Sequence, residues 1–155
     1  MIIRSEEELI NFGRDLGQKI SAPCVIELIG DVGAGKTTFT RGLAKGLGAT
    51  EPVTSPSFTI SKRYTIKDGI LAHYDFYRLP DPGIMSEDLA ESIADPHTIT
   101  VVEWANTTQD ILPSDRLIYE ITTNDDGTRT LTEKTTNQDS QPTSQNSQPN
   151  NPKDN

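Results

Sequence analysis

The sequence predicts an α/β fold: a sheet flanked by helices, carrying β-hairpins and ending in a disordered polar tail. An apolar run, Val25-Ile26-Glu27-Leu28-Ile29, leads straight into the glycine-rich Gly30-Asp31-Val32-Gly33-Ala34-Gly35-Lys36-Thr37, and helical spacing follows it. A second run, Ile99-Thr100-Val101-Val102, is apolar and β-branched enough for a buried strand. Two strand-like segments flank Lys67-Asp68-Gly69 and two more flank Asn124-Asp125-Asp126-Gly127, both hairpin-turn signals.

Each element has a local reason. Ser5 and Glu8 form a capping box, and Leu9, Phe12, Gly13, Leu16 and Ile20 follow at helical spacing, predicting a helix from about Glu6 to Lys19. Cys24 opens the next strand and reads as a small buried hydrophobe. Behind Thr37, Phe39, Leu43 and Leu47 make a helical stripe, and Gly48 is the expected stop. Pro52 to Phe58 is a loop by composition, and Thr59 to Ile66 and Ile70 to Tyr77 are the strands of the first hairpin. Pro80 and Pro82 break the chain, Ser86 caps a short helix through Leu89 and Ile93, and the strand after Pro96 ends in Glu103. Leu117 to Ile121 and Thr128 to Thr132 complete the second hairpin, and no internal repeat occurs.

Residues 1–133 are expected to form one domain, and 134–155 a low-complexity tail rich in Asn, Gln, Ser and Pro with nothing apolar to offset the entropy of ordering. The net charge is −9, and the tail contributes none of it, because Lys134 and Lys153 balance Asp139 and Asp154. An acidic body repels bare nucleic acid, so DNA is not an expected partner and any RNA is expected mainly through a partner protein. Arg41, Lys45, Lys62 and Arg63 are candidates for a local basic patch, although scattered solvated cations are the plainer expectation. The single cysteine excludes an internal disulfide and a cysteine metal cluster. No stretch approaches 18 apolar residues and no leader pattern opens the chain, so the expectation is a cytoplasmic protein with no membrane association.

Gly30 to Thr37 spells G-x-x-x-x-G-K-T between a strand and a helix, the pattern of a phosphate-binding loop. Glycines let the backbone curl so that consecutive amides point inward as an anion nest, here those of Asp31, Val32, Gly33 and Ala34 around Gly35. Lys36 can reach the β and γ phosphates, the Thr37 hydroxyl suits a phosphate-bound Mg²⁺, and the helix start adds its positive end. The expected ligand is a nucleoside triphosphate.

Such a site needs an acid near the metal and a group that orients or deprotonates water. Glu103, closing an apolar strand, stands where a Walker B acid would, and Asp75 ends another strand in His73-Tyr74-Asp75-Phe76-Tyr77-Arg78; either could instead be a solvated strand-end acid. His73 shares a face with Asp75 and either hydrogen-bonds it or fills space. Trp104 either stacks on a nucleobase or packs in the core, and core packing is the expectation. The hydroxyl-rich Thr54-Ser55-Pro56-Ser57 is either a γ-phosphate sensor or a plain turn.

Taken together, Gly30 to Thr38, Thr54-Ser55-Pro56-Ser57-Phe58, His73-x-Asp75-x-Tyr77-Arg78-Leu79 and Val102-Glu103-Trp104 resemble the TsaE family, from about Leu9 to Pro113. The family consists of small bacterial P-loop ATPases required for threonylcarbamoyladenosine (t6A) modification of tRNA. The resemblance implies Mg²⁺-dependent ATP hydrolysis, slow without partners, coupled to TsaD and TsaB, which transfer the threonylcarbamoyl group. By similarity Lys36 holds phosphates, Thr37 and Glu103 hold Mg²⁺, Thr38 supports the phosphate end and Asp75 is the acid needed for hydrolysis. It also implies Trp104 near the nucleotide, Thr54, Ser55 and Ser57 as a switch facing the partner, and Glu6 at the adenine. Ser57 stands where the family usually has Thr, which keeps the hydroxyl.

Two other functions share the loop. A small-molecule kinase would use Asp75 as base, but its only candidate lid, Pro80 to Asp95, contains no arginine to clamp a phosphoryl group. A nucleotide-dependent binding module would use ATP to set partner affinity with negligible turnover. No Asn-Lys-x-Asp guanine-reading sequence occurs.

Overall fold

The computed structural model describes residues 1–79, 81 and 83–136. Strands β1 (Ile2–Ile3), β2 (Cys24–Ile29), β3 (Ser61–Ile66), β4 (Gly69–Asp75), β5 (Thr98–Glu103), β6 (Leu117–Thr123) and β7 (Arg129–Lys134) alternate with helices α1 (Glu6–Gly17), α2 (Lys36–Gly46) and α3 (Ile84–Ala94). They form one seven-stranded sheet in the order β1-β7-β6-β2-β5-β4-β3. The centre, β6-β2-β5-β4, is parallel, and the antiparallel pairs β3–β4 and β6–β7 extend it on either side. A parallel centre must be covered on both faces, which explains why β5 is buried throughout and β2 at all but its two ends, the buried Glu27 of β2 being paired with Arg116 at 2.6 Å.

Helices α1 and α2 cover one face. Leu9, Ile26, Leu28, Phe39, Leu43, Leu71, Ile99, Val101 and Ile121 are buried in one cluster there, and Phe12, Phe39 and Tyr119 pack ring against ring. The two helices run backbone to backbone: a Cβ on Gly42 would lie 2.2 Å from the Ile10 carbonyl oxygen, and one on Gly13 would lie 2.4 Å from that of Phe39. Helix α3 covers the other face, where Leu89 packs with Val25, Ala72, Tyr74, Phe76 and Val102. A polar knot pins it, because Tyr74 Oη lies 2.6 Å from both Asp88 Oδ2 and Ser92 Oγ, while Arg63 Nη2 donates to Ser92 Oγ at 2.9 Å. Burial and the Asp88 carboxylate push the Tyr74 hydroxyl up to about 12.

Several boundaries differ from expectation for local reasons. Ser5 Oγ accepts from the Glu8 amide at 3.1 Å as predicted, but Glu8 returns its carboxylate to the Arg4 amide at 2.7 Å and α1 ends at Gly17. Ser86 does not cap α3: the helix begins at Ile84, and Ser86 Oγ donates back to the Gly83 carbonyl at 2.7 Å from inside the first turn. Strand β4 stops at Asp75, two residues before Tyr77, because the Tyr77 amide turns back to Asp75 Oδ1 at 3.0 Å. Strand β1 was not anticipated, since two residues carry no period, and it pairs with Arg129 and Thr130. Cys24 is half-buried rather than buried, and burial raises its thiol pKa. Strand β7 reaches Lys134, the expected first residue of the tail, and Thr136 Oγ1 donates to the Ser114 carbonyl at 2.8 Å; the tail from 137 on lies outside the described residues. Among the described residues no helix is long and apolar enough to cross a membrane.

Candidate functional site

The parallel strands β2, β4 and β5 all end at one edge of the sheet, where ligands of open α/β sheets bind. In register, Leu28 pairs with Glu103 and Glu103 with Asp75, so the two acids sit side by side at neighbouring strand ends. The glycine-rich loop rises from β2 directly opposite them. Gly33 (φ +82°) and Gly35 (φ +115°) take left-handed backbone, which turns the chain into α2, and a Cβ on Gly30 would lie 2.6 Å from the Ile121 carbonyl oxygen. Gly35 is the N-cap of α2, and the first intrahelical bond found is from the Phe39 amide to the Gly35 carbonyl at 2.8 Å, so the amides of the first turn remain free for a ligand.

These elements enclose a cleft of about 360 Å³. Of the residues singled out from sequence, it is lined by Glu6, Val32, Gly33, Gly35, Lys36, Thr37, Thr38, Ser55, Ser57, Asp75, Glu103 and Trp104. Residues from opposite ends of the chain therefore meet at one site. Three expected contributors, Asp31, Ala34 and Thr54, are not among its lining residues. Ala34 buries its side chain in the core and its amide donates to the Asp31 carbonyl at 3.0 Å, so this amide is used inside the loop. Asp31 is exposed and turns its carbonyl to Lys36. Thr54 faces β3, where its amide donates to Tyr64 Oη at 3.2 Å and its hydroxyl meets Lys62 Nζ.

Lys36 is 6% exposed, and its Nζ donates to the carbonyls of Gly30 at 2.5 Å and Asp31 at 3.0 Å. An ammonium has three hydrogens, so a donor remains for an anion. Burial lowers its pKa, against the upward pull of Glu103, Asp75 and Asp31. Trp104 stands over it with the ring centroid 4.8 Å from Nζ and packs against Tyr77 with ring centroids 4.8 Å apart. Trp104 does both things expected of it: half-buried, it packs against the core cluster around Tyr74, Phe76 and Val102, and its ring also walls the cleft, with a left-handed backbone (φ +55°) immediately after β5.

Both acids are buried, Asp75 at 5% and Glu103 at 3% exposure, so neither is a solvated strand end. Asp75 Oδ2 accepts from Ser57 Oγ at 3.0 Å, and Ser55 Oγ lies 2.7 Å from Ser57 Oγ, which ties the serine loop to the acid. His73 does not bond Asp75; its Nε2 lies 2.8 Å from Glu103 Oε1. Sequence reasoning gave no site role to Arg129, or to Tyr77 and Arg78 of the quoted motif, and all three line the cleft. Arg129 has a buried Nε with no partner, 3.5 Å from where a Gly35 Cβ would be, and only the pairing of β7 beside the loop brings it there. Of the suspected basic patch, Arg41 pairs with Glu6 at 3.4 Å and Arg63 with Asp88 at 3.3 Å.

The donor set suits a divalent ion that arrives with a triphosphate. The Thr37 hydroxyl and Glu103 share the cleft, and among the described residues no group of three or more His, Cys, Asp or Glu could hold a metal alone. One hydroxyl and one carboxylate, with phosphate oxygens and water supplying the rest, is the coordination Mg²⁺ prefers.

The family model described as "Threonylcarbamoyl adenosine biosynthesis protein TsaE" matches residues 3–131. The "tRNA threonylcarbamoyladenosine biosynthesis protein TsaE" of a Nostoc species is 38% identical over 132 residues, covering 83% of this chain and 81% of the relative. The protein of the same description from Bacillus subtilis is 45% identical over 111 residues, 70% of this chain and 67% of the relative. The crystal structure of B. subtilis YdiB superposes with a TM-score of 0.67 at 32% identity, covering 84% of this chain and 80% of that one.

Proposed function

The chain belongs to the TsaE family of t6A biosynthesis proteins, and from that premise we propose that it is a Mg²⁺-dependent ATPase acting on a complex of TsaD and TsaB. One observation carries the proposal: the loop lysine, a helix start with free amides and two buried strand-end carboxylates face the same cleft. A triphosphate is the ligand that uses all of these groups at once.

In this reading the amides of Val32, Gly33 and the first turn of α2 receive the phosphate oxygens, and the third hydrogen of the Lys36 ammonium meets the β and γ phosphates. Thr38 supports the phosphate end. Glu6 and Arg129 line the same cleft, and Glu6 would meet the adenine. Thr37 and Glu103 would hold Mg²⁺, which when bound neutralises charge on the β and γ oxygens. Asp75 orients the attacking water and holds its proton, while Trp104 and Tyr77 shield Lys36 from solvent. Ser55 and Ser57, bonded to Asp75, make the serine loop the switch that reports the nucleotide to the partner.

Asp75 accepts from Ser57 Oγ and from the Tyr77 amide, one bond to each carboxylate oxygen, so a lone pair on each remains for water and the acid is coupled to the serine loop. The same observation supports a second reading, a binding module whose partner affinity follows the bound nucleotide. Measuring ATP hydrolysis by the full chain, alone and with TsaD and TsaB of the same organism, tests the proposal. Stimulated turnover is expected; partner release that follows bound ATP or ADP without cleavage favours the module, and ADP formation that requires a small hydroxyl acceptor favours a kinase.

A further inference from the structure

Glu103 and Asp75 end neighbouring strands in register, yet their oxygens are engaged differently. Asp75 has both occupied, Oδ2 by Ser57 Oγ and Oδ1 by the Tyr77 amide. Glu103 has one occupied: Oε1 lies 2.8 Å from His73 Nε2. A carboxylate can only accept, so Nε2 carries the hydrogen. The second oxygen, Oε2, has no side-chain partner among the described residues, and the residue lines the cleft.

Packing does not explain a histidine here. His73 is completely buried, its neighbours on the same sheet face, Leu71 and Val101, are apolar, and its Nδ1 is a buried nitrogen without a partner. An aliphatic residue would fill the position without the orphaned imidazole nitrogen, but it would take the donor away from Glu103 Oε1. What the histidine adds is one rigid N–H directed at one oxygen of a buried carboxylate whose chain otherwise turns about three bonds.

Resting on the ATPase reading, we infer that His73 is a positioning residue for Glu103: its Nε2–H fixes Oε1 and thereby turns Oε2 into the cleft, toward the Mg²⁺ that accompanies ATP. Groups that orient a metal ligand in this way typically alter metal affinity by about 10–100-fold when removed. Nucleotide affinity without metal depends on the loop and Lys36 and is untouched by His73.

The test compares the wild-type chain with His73→Leu, which keeps bulk and loses the donor, and His73→Gln, whose amide nitrogen falls near the place of Nε2. Affinity for a non-hydrolysable ATP analogue is measured by calorimetry without metal, and Mn²⁺ is then titrated into each complex and followed by electron paramagnetic resonance. The leucine variant is expected to bind Mn²⁺ about tenfold more weakly, and the glutamine variant to stay within about threefold of wild type, with metal-free analogue binding equal in all three. Equal Mn²⁺ affinity in the leucine variant, or an equal loss in both variants, overturns the inference. Nitrogen-15 spectra of the wild-type imidazole need no variant: a hydrogen on Nε2 is expected, and one on Nδ1 alone overturns the bond. If the wild-type chain takes up no analogue, the ATPase reading fails, and the imidazole spectrum still decides the His73–Glu103 contact.

Discussion

Single residues at this site are chosen for what burial does to charge. The Lys36 ammonium is pulled down from an ordinary 10.5 by desolvation, although Glu103, Asp75 and Asp31 oppose the shift. Its folded pKa lies below the unfolded one, so the unfolded chain binds that proton more tightly, and the lysine's contribution to folding stability improves as pH rises through the folded value toward 10.5. Phosphate binding has the opposite sign, because it needs the charged form. ATP affinity of the chain is therefore expected to fall with rising pH, starting below 10.5, and calorimetry across the alkaline range reads it; a decline that starts only above 10.5 contradicts the shift. Asp75 gives a second prediction. Asp75→Asn keeps the size and an acceptor for Ser57 but cannot take a proton, so partner-stimulated hydrolysis should drop about 100-fold while ATP affinity is kept. Undiminished turnover in that variant removes Asp75 from its assigned role.

At the scale of elements, the loop, the central strands and the acids at their ends were legible because each rests on a local rule. Four consecutive β-branched or apolar residues make the body of β5, and a glycine spacing makes the turn between β2 and α2. What escaped depends on pairing across long sequence separation. Arg129 reaches the cleft only because β7 pairs with β6 and β1, and nothing around position 129 announces it. His73 was legible as a face-mate of Asp75, but its partner lies on β5, and periodicity along β4 does not identify it. Trp104 left two readings open, core packing and the ligand site, and the left-handed backbone at that residue lets its ring serve both. The α1–α2 contact gives a third prediction. Gly42 leaves 2.2 Å between an added Cβ and the Ile10 carbonyl oxygen, and backbone cannot yield as a side chain can. Gly42→Ala should destabilise the chain by about 1–3 kcal/mol, despite alanine's better helix propensity, and a denaturant midpoint equal to wild type contradicts the close approach.

For the whole molecule, the strand ends, the loop and the first residues of α1 converge on one edge of a sheet whose remaining mass is scaffold. The net charge of −9 repels bare nucleic acid over most of the surface. Family membership places the chain in t6A biosynthesis, and the proposed chemistry rests on the residues that line the cleft. Everything assigned to Asp75, Glu103 and the serine loop presupposes that the glycine-built turn after β2 holds a triphosphate. Titrating ATP with Mg²⁺ into the folded chain and into Lys36→Ala, by calorimetry, tests that directly. Saturable one-to-one binding by the wild-type chain, lost in the variant, is the predicted result; a folded wild-type chain that releases no heat and takes up no nucleotide contradicts it.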